Sequence, residues 1–167
     1  MEKKKQNPAL YLTQGAMIAA LYVVFTLAAN AFGLASMAIQ VRFSEALTIL
    51  PFFTTAAIPG LFVGCLISNL ITGAQPLDVI FGSLATLMGA MGTYALRRNK
   101  WLAPLPPIVA NVIVVPPLLA YVYQIPGGLG YFALTVGIGE IISCGILGML
   151  LLFALNKYRA VLFPDRK

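Results

Sequence analysis

At 167 residues, 60% hydrophobic and 10% charged, this chain has too little polar surface to cover a water-soluble globule, so lipid must solvate much of it. Its formal charge of +6 would suit nucleic acid, yet the basic residues gather in three short groups beside long apolar runs, the pattern of membrane topology. Histidine is absent, which removes the usual metal ligand and the usual neutral-pH proton shuttle; the sequence points to no metal and no cofactor.

The opening stretch, "MEKKKQNPALYLTQGAMIAALYVVFTLAANA", has the look of a signal peptide, down to an A-x-A at Ala29–Ala31. Its apolar part, from about Ala9 to Ala29, exceeds the ~7–15 residues of a typical signal core. The reading adopted is a retained first span over 9–30, with cleavage as the alternative. Next comes "VRFSEAL", where Arg42 and Glu45, three apart on one helical face, open a second span over 41–57. No charge occurs from Ala46 to Gly73, so this region is one long tilted helix or two short ones. Pro59–Gly60 suits a turn between two, which sets a short third span over 60–73. Neighbouring helices or a locally thinned bilayer would hold it.

A fourth span over 76–96 carries Asp78, Gly82, Ala85, Gly89 and Gly92 as one small-residue stripe, a face on which membrane helices approach closely. The fifth covers 103–124. The sixth covers 130–156 and repeats the device with Ala133, Gly137, Glu140 and Cys144. With six spans, Lys3–Lys5, the "RRNK" at Arg97–Lys100, and Lys157, Arg159, Arg166 and Lys167 all fall on one side; with five, "RRNK" is stranded opposite the amino terminus. The positive-inside rule therefore favours an all-α integral membrane protein, a single domain 1–167 built as a six-transmembrane-helix bundle in the cell membrane with both termini cytoplasmic. No internal repeat is visible, which argues against an inverted-repeat transporter working alone.

On this topology Arg42, Glu45 and Asp78 lie at outer helix ends, and Glu140 lies near mid-membrane. A charge in hydrocarbon costs ~2.5–3.5 kcal/mol even on lenient insertion scales, so such groups normally face a bundle interior or a wet cavity. Asp78 could instead complement a helix dipole from its first turn, and Arg42–Glu45 could be a structural pair. Glu140 has no basic residue in its own helix before Lys157, and is the hardest to explain structurally. Asn69 and Asn111 could give amides to a pocket or bond helix to helix. Tyr121, Tyr123 and Trp101 fit aromatic interface belts. Three carboxylates and one guanidinium sum to −3 + 1 = −2 if all ionise, which suits a cation or a ligand rich in N–H donors. A guanine-like edge with adjacent N–H groups could be held bidentately by one carboxylate.

The stretches "IQVRFSEALTILPFF", "GLFVGCLISNLITG" and "DVIFGSLATLMGA" resemble the QueT family, and the resemblance covers nearly the whole chain. These are small membrane proteins regarded as substrate-binding S components of energy-coupling-factor (ECF) transporters for queuosine precursors. The resemblance implies a protein that binds a 7-deazaguanine, such as 7-aminomethyl-7-deazaguanine or queuine, on the outer side. Arg42, Glu45, Asn69, Asp78, Asn111 and Glu140 would form the substrate site, with no catalytic residue. It also implies docking to a T component carrying two ATPase subunits, through an A-x-x-x-A face matched by Ala16 and Ala20. No G-x-x-x-x-G-K-[ST] phosphate loop occurs in the chain, so ATP hydrolysis would come from those partners. The alternatives are an S component for another cationic vitamin such as thiamine, and a small proton-coupled cation exporter using Glu140. An intramembrane enzyme is disfavoured, since Ser68 and Ser143 lack an evident base.

Overall fold

The computed structural model of the chain describes residues 8–33 and 40–163. Lys3–Lys5, Arg166 and Lys167, counted above for topology, lie outside the described residues. All regular structure among the described residues is helical. Helix α1 (Pro8–Ala31) packs along α2 (Ala57–Ile71) backbone to backbone. A Cβ added at Gly60 would lie 2.6 Å from the Gly15 carbonyl oxygen, and one at Gly64 would lie 2.8 Å from Tyr22 Cβ. Small residues on both helices thus permit the approach that lipid cannot drive. Gly15 and Ala19 belong to this crossing, whereas Ala16 and Ala20 are exposed.

Between α1 and α2 the chain departs from expectation. In place of a second α-helix over 41–57 stands a 3-10 helix, Phe43–Phe52. The turn after it falls at residues 53–56, where Leu50 O accepts from both Phe53 N–H and Thr54 N–H, and not at Pro59–Gly60. Pro59 sits in the first turn of α2, where a backbone N–H has no intrahelical acceptor and its loss costs nothing. A 3-10 helix rises ~2.0 Å per residue, so ten residues reach about 20 Å where an α-helix would reach about 15 Å. Each residue from Ser44 to Pro51 is buried, and α1, the helices over Pro76–Ala95 and Gly148–Lys157, and the wide turn Ile141–Leu147 surround the segment. It forms the axis of the bundle.

Helix α3 (Pro76–Ala95) packs on α4 (Leu105–Pro117), which runs on as a π-helical turn, Leu118–Val122. The α3 glycines receive the prolines that start α4: a Cβ at Gly89 would lie 2.7 Å from Pro107 Cα, and one at Gly92 would strike Pro106. Helix α5 (Leu129–Glu140), a π-helical segment (Ile141–Leu147) and α6 (Gly148–Lys157) form one continuous run, followed by the short α7 (Arg159–Leu162). In that run Glu140 and Cys144 are buried, while Ala133 and Gly137 of the expected stripe are only half-buried; Phe132, Thr135, Val136 and Gly139 face the core instead.

Four helical runs are long and apolar enough to cross a membrane: Pro8–Ala31, Pro76–Ala95, Leu105–Val122 and Leu129–Lys157. The 3-10 helix and α2 are apolar but shorter. Leu70, Ile80, Ile113, Leu134 and Leu150 are each more than half exposed, a surface suited to lipid. The two ends of the bundle differ. One collects Arg97, Lys100, Lys157 and Arg159, with Lys100 Nζ 5.5 Å from the Trp101 ring and 5.1 Å from Phe153. The other collects residues 40–43, 72–75 and 123–128, and it holds the polar groups described next.

Candidate functional site

Glu45, Asp78 and Glu140 are all buried, at 2%, 8% and 7% exposure, and they divide into two neighbouring groups. Glu45 comes from the first turn of the 3-10 helix, and Glu140 ends α5 just where the helix widens. A carboxylate oxygen of each and the Cys144 sulfur all lie within 4.8 Å of one another. The Cys144 thiol donates to Glu140 Oε2 at 3.1 Å, and the Tyr22 hydroxyl on α1 donates to Glu45 Oε1. Thr48 completes the floor, its hydroxyl donating to the Glu45 carbonyl at 2.6 Å and touching Cys144 Sγ at 3.4 Å.

Asn111 on α4 stands beside both carboxyls. Even so, Glu45 Oε2 is buried with no hydrogen-bond partner, so the amide is near without bonding that oxygen. A bare, buried carboxylate oxygen is costly to leave unmet, about 1–3 kcal/mol for a polar group and more for a charged one. Among the described residues no Lys or Arg nitrogen comes within 4.0 Å of a carboxylate oxygen. Two acids therefore face each other without a bonded cation.

Asp78 belongs to the second group. It lines a hollow of about 200 Å³ with Asn30, Arg42, Asn69, Thr72 and Tyr123, and a second of about 170 Å³ with Gln40, Arg42, Leu118 and Tyr123. Arg42, Asp78 and Tyr123 are shared by both. The Tyr123 hydroxyl donates to Asp78 Oδ2 at 2.6 Å and accepts from the Gln75 N–H at 3.3 Å, tying the loop after α4 to the start of α3. Burial first, and then the Asp78 carboxylate, push this phenol, which lies past the end of the helical run, up to about 12, so it remains a donor at neutral pH.

Arg42 links the groups. Its backbone N–H donates to Ser143 Oγ at 3.1 Å, pinning the entry to the 3-10 helix against the π-helical segment. Its guanidinium makes no hydrogen bond or ion pair among the described residues; of the acidic side chains Asp78 acts on it most strongly, ahead of Glu45. Asn69 lies on the hollow side, its amide nitrogen 3.6 Å from Cys65 Sγ, while Asn111 lies on the acid-pair side.

Tyr22 and Cys144 escape a reading of composition, although Cys144 follows Glu140 by four residues and so shares its face. Tyr22 gives no such signal within α1. Tyr121 and Trp101, at 71% and 64% exposure, stand on the surface as interface aromatics do, whereas Tyr123 turns inward to Asp78. Arranged this way, the site offers buried carboxylate acceptors and, beside them, hollows lined by one cation, one anion and amides. That chemistry suits binding of a polar, donor-rich molecule.

Comparison with known proteins gives a family. A family model described as QueT transporter matches residues 12–157. The queuosine precursor transporter QueT of Lactococcus lactis subsp. cremoris (strain MG1363) is 38% identical over 86 residues, which is 51% of this chain and 50% of that protein. The chain thus aligns with about half the length of that relative. No solved structure matches. With four helical runs able to cross a bilayer, the protein is a multi-pass protein of the cell membrane. The matched region extends from the second turn of α1 to the last residue of α6 and takes in both groups of the site, and on that extent the chain belongs to the QueT transporter family.

Proposed function

We propose that this chain is the substrate-binding S component of an ATP-driven ECF importer, and that its ligand is a queuosine precursor of the 7-deazaguanine type. The observation that carries the proposal is the Glu45–Glu140 pair: two buried carboxyls with no bonded cation and one oxygen wholly unmet. A deazaguanine presents adjacent N–H groups along one edge, and a carboxylate can accept two of them side by side. In the aminomethyl form it also brings an ammonium group. Arg42, Asp78 and Asn69 would admit and orient the ring, and Asn111 would bond it beside the two acids.

The chain would cross the membrane six times, the 3-10 helix and α2 being shielded by neighbours, as one domain with both ends in the cytoplasm. Arg97, Lys100, Lys157 and Arg159 gather at the end opposite the hollows, and basic residues favour the cytoplasmic side. The hollows would then open outward. Neither reaches the ~300 Å³ at which small-molecule sites usually begin, so ligand entry would require Arg42 or Tyr123 to shift and join them. ATP hydrolysis would be supplied by two ATPase subunits on a T component, met through exposed Ala16 and Ala20 on α1.

The test is direct binding of 7-aminomethyl-7-deazaguanine to the purified protein, together with mass spectrometry of whatever small molecule copurifies. A bound deazaguanine supports the assignment. Thiamine or another vitamin would keep the mechanism and replace the ligand; binding of neither kind would end the reading.

A further inference from the structure

Two carboxyls whose oxygens lie within 4.8 Å, both more than nine-tenths buried, cannot both ionise in a water-poor interior unless positive charge joins them. The groups facing the pair are Tyr22 on α1, Cys65 on α2, Cys144 on the π-helical segment, and Arg42. A phenol and two thiols are neutral at pH 7. Among the described residues the cation near the pair is Arg42; it acts on both carboxyls but, of the acidic side chains, most strongly on Asp78 of α3, and it bonds none of them. No cation bonds the pair, and Glu45 Oε2 is the buried oxygen left without any partner.

We infer that the Glu45–Glu140 pair is a proton-for-ammonium exchange site: empty, it holds one shared proton; loaded, it gives that proton to solvent and takes the protonated amine of a flat, donor-rich ligand. This rests on the function proposed above and adds the selectivity of the site. The exchange is electroneutral. Proton plus two carboxylates, and ammonium plus two carboxylates, both carry a net charge of −1. The protein therefore never buries two bare negative charges, and a ligand of the same shape without the ammonium must leave the proton where it is. Such a ligand cannot form the charge-assisted bonds that hold the amine.

Linkage fixes the sign. A ligand that displaces a proton binds more tightly as pH rises, by about tenfold per pH unit while the empty pair keeps its proton and the amine stays charged. The experiment is isothermal titration calorimetry on the full chain in detergent. It uses 7-aminomethyl-7-deazaguanine and its neutral counterpart 7-methyl-7-deazaguanine, each in two buffers of different ionisation heat and at about pH 6 and about pH 7. The expected result is release of about one proton with the amine and none with the methyl compound, which binds at least about tenfold more weakly at neutral pH. Amine binding without proton release, or with flat pH dependence, overturns the inference and leaves the proposed function standing. One equivalent of a metal ion in the empty protein by elemental analysis also overturns it. Failure of both compounds to bind removes the proposed function and this inference together.

Discussion

Glu45 and Glu140 are far apart in the chain and adjacent in space, and their partners divide the work unevenly. Tyr22 satisfies one oxygen of Glu45, and Cys144 one of Glu140. Removing the Tyr22 hydroxyl strands a second buried acceptor on a carboxyl that already has one. Tyr22→Phe should cost about 1–3 kcal/mol of stability, visible as a lower melting temperature in detergent, while ligand affinity falls by less than about tenfold. Glu140→Gln should do the reverse. A neutral amide keeps the shape and the net charge of the singly protonated pair, so the melting temperature should hold, while deazaguanine affinity falls about tenfold or more by equilibrium binding. Equal affinity in Glu140→Gln and the unaltered protein would remove Glu140 from the site.

Helix packing here rests on glycine, and the consequences differ from one glycine to the next. A Cβ at Gly64 would lie 2.8 Å from Tyr22 Cβ and 2.9 Å from the Ala19 carbonyl oxygen, so Gly64→Ala must push α1 and α2 apart. A loss of about 1–3 kcal/mol is expected, with Gly130→Ala as the neutral control because nothing lies within 4 Å of its added Cβ. Thermal unfolding of both variants decides it. The same contrast explains what could be read from the sequence. Long apolar runs gave α1, α3, α4 and the α5–α6 run, because lipid imposes length on anything that crosses. In the stripe on α3, Gly89 and Gly92 marked the face that meets Pro107 and Pro106, while Gly82 lies against Asp78 and Asn69. Residues 43–52 were not legible, since a segment buried on every side carries no periodicity to show its helical type. Pro59–Gly60 misled for a related reason: the proline fits a first turn as well as a break, and the glycine serves packing. The acids were visible as expensive residues, but their pairing depends on which residues the widened turn brings round. No local pattern encodes that.

Across the whole molecule the two ends differ in charge, and orientation can be measured. A cysteine placed at Gly128 should react with a membrane-impermeant maleimide on intact cells, and one at Asn99 should react only after lysis. Cys65 and Cys144, both at 1% exposure, should stay silent. The reverse labelling pattern would turn the hollows inward and defeat outer-side ligand capture. On the function proposed, docking would be separable from binding. Ala20 is exposed on α1 and touches neither group of the site, so Ala20→Trp should leave ligand affinity within about twofold while abolishing uptake in cells that supply the partner subunits. Unchanged uptake would place the docking face elsewhere.

The buried 3-10 axis also bears on how the chain is made. Phe43–Phe52 emerges from the ribosome early, is shorter than the ~17 residues needed to cross alone, and is enclosed in part by α6 and the wide turn before it, which are synthesised last. Until those final helices arrive, Glu45 lacks Glu140 and the axis lacks part of its wall, so the nascent bundle should be sheltered by insertion machinery or chaperones. A chain stopped after Gly128 should reach the membrane and then be cleared by quality-control proteolysis, a difference that pulse-chase labelling of the two lengths would reveal.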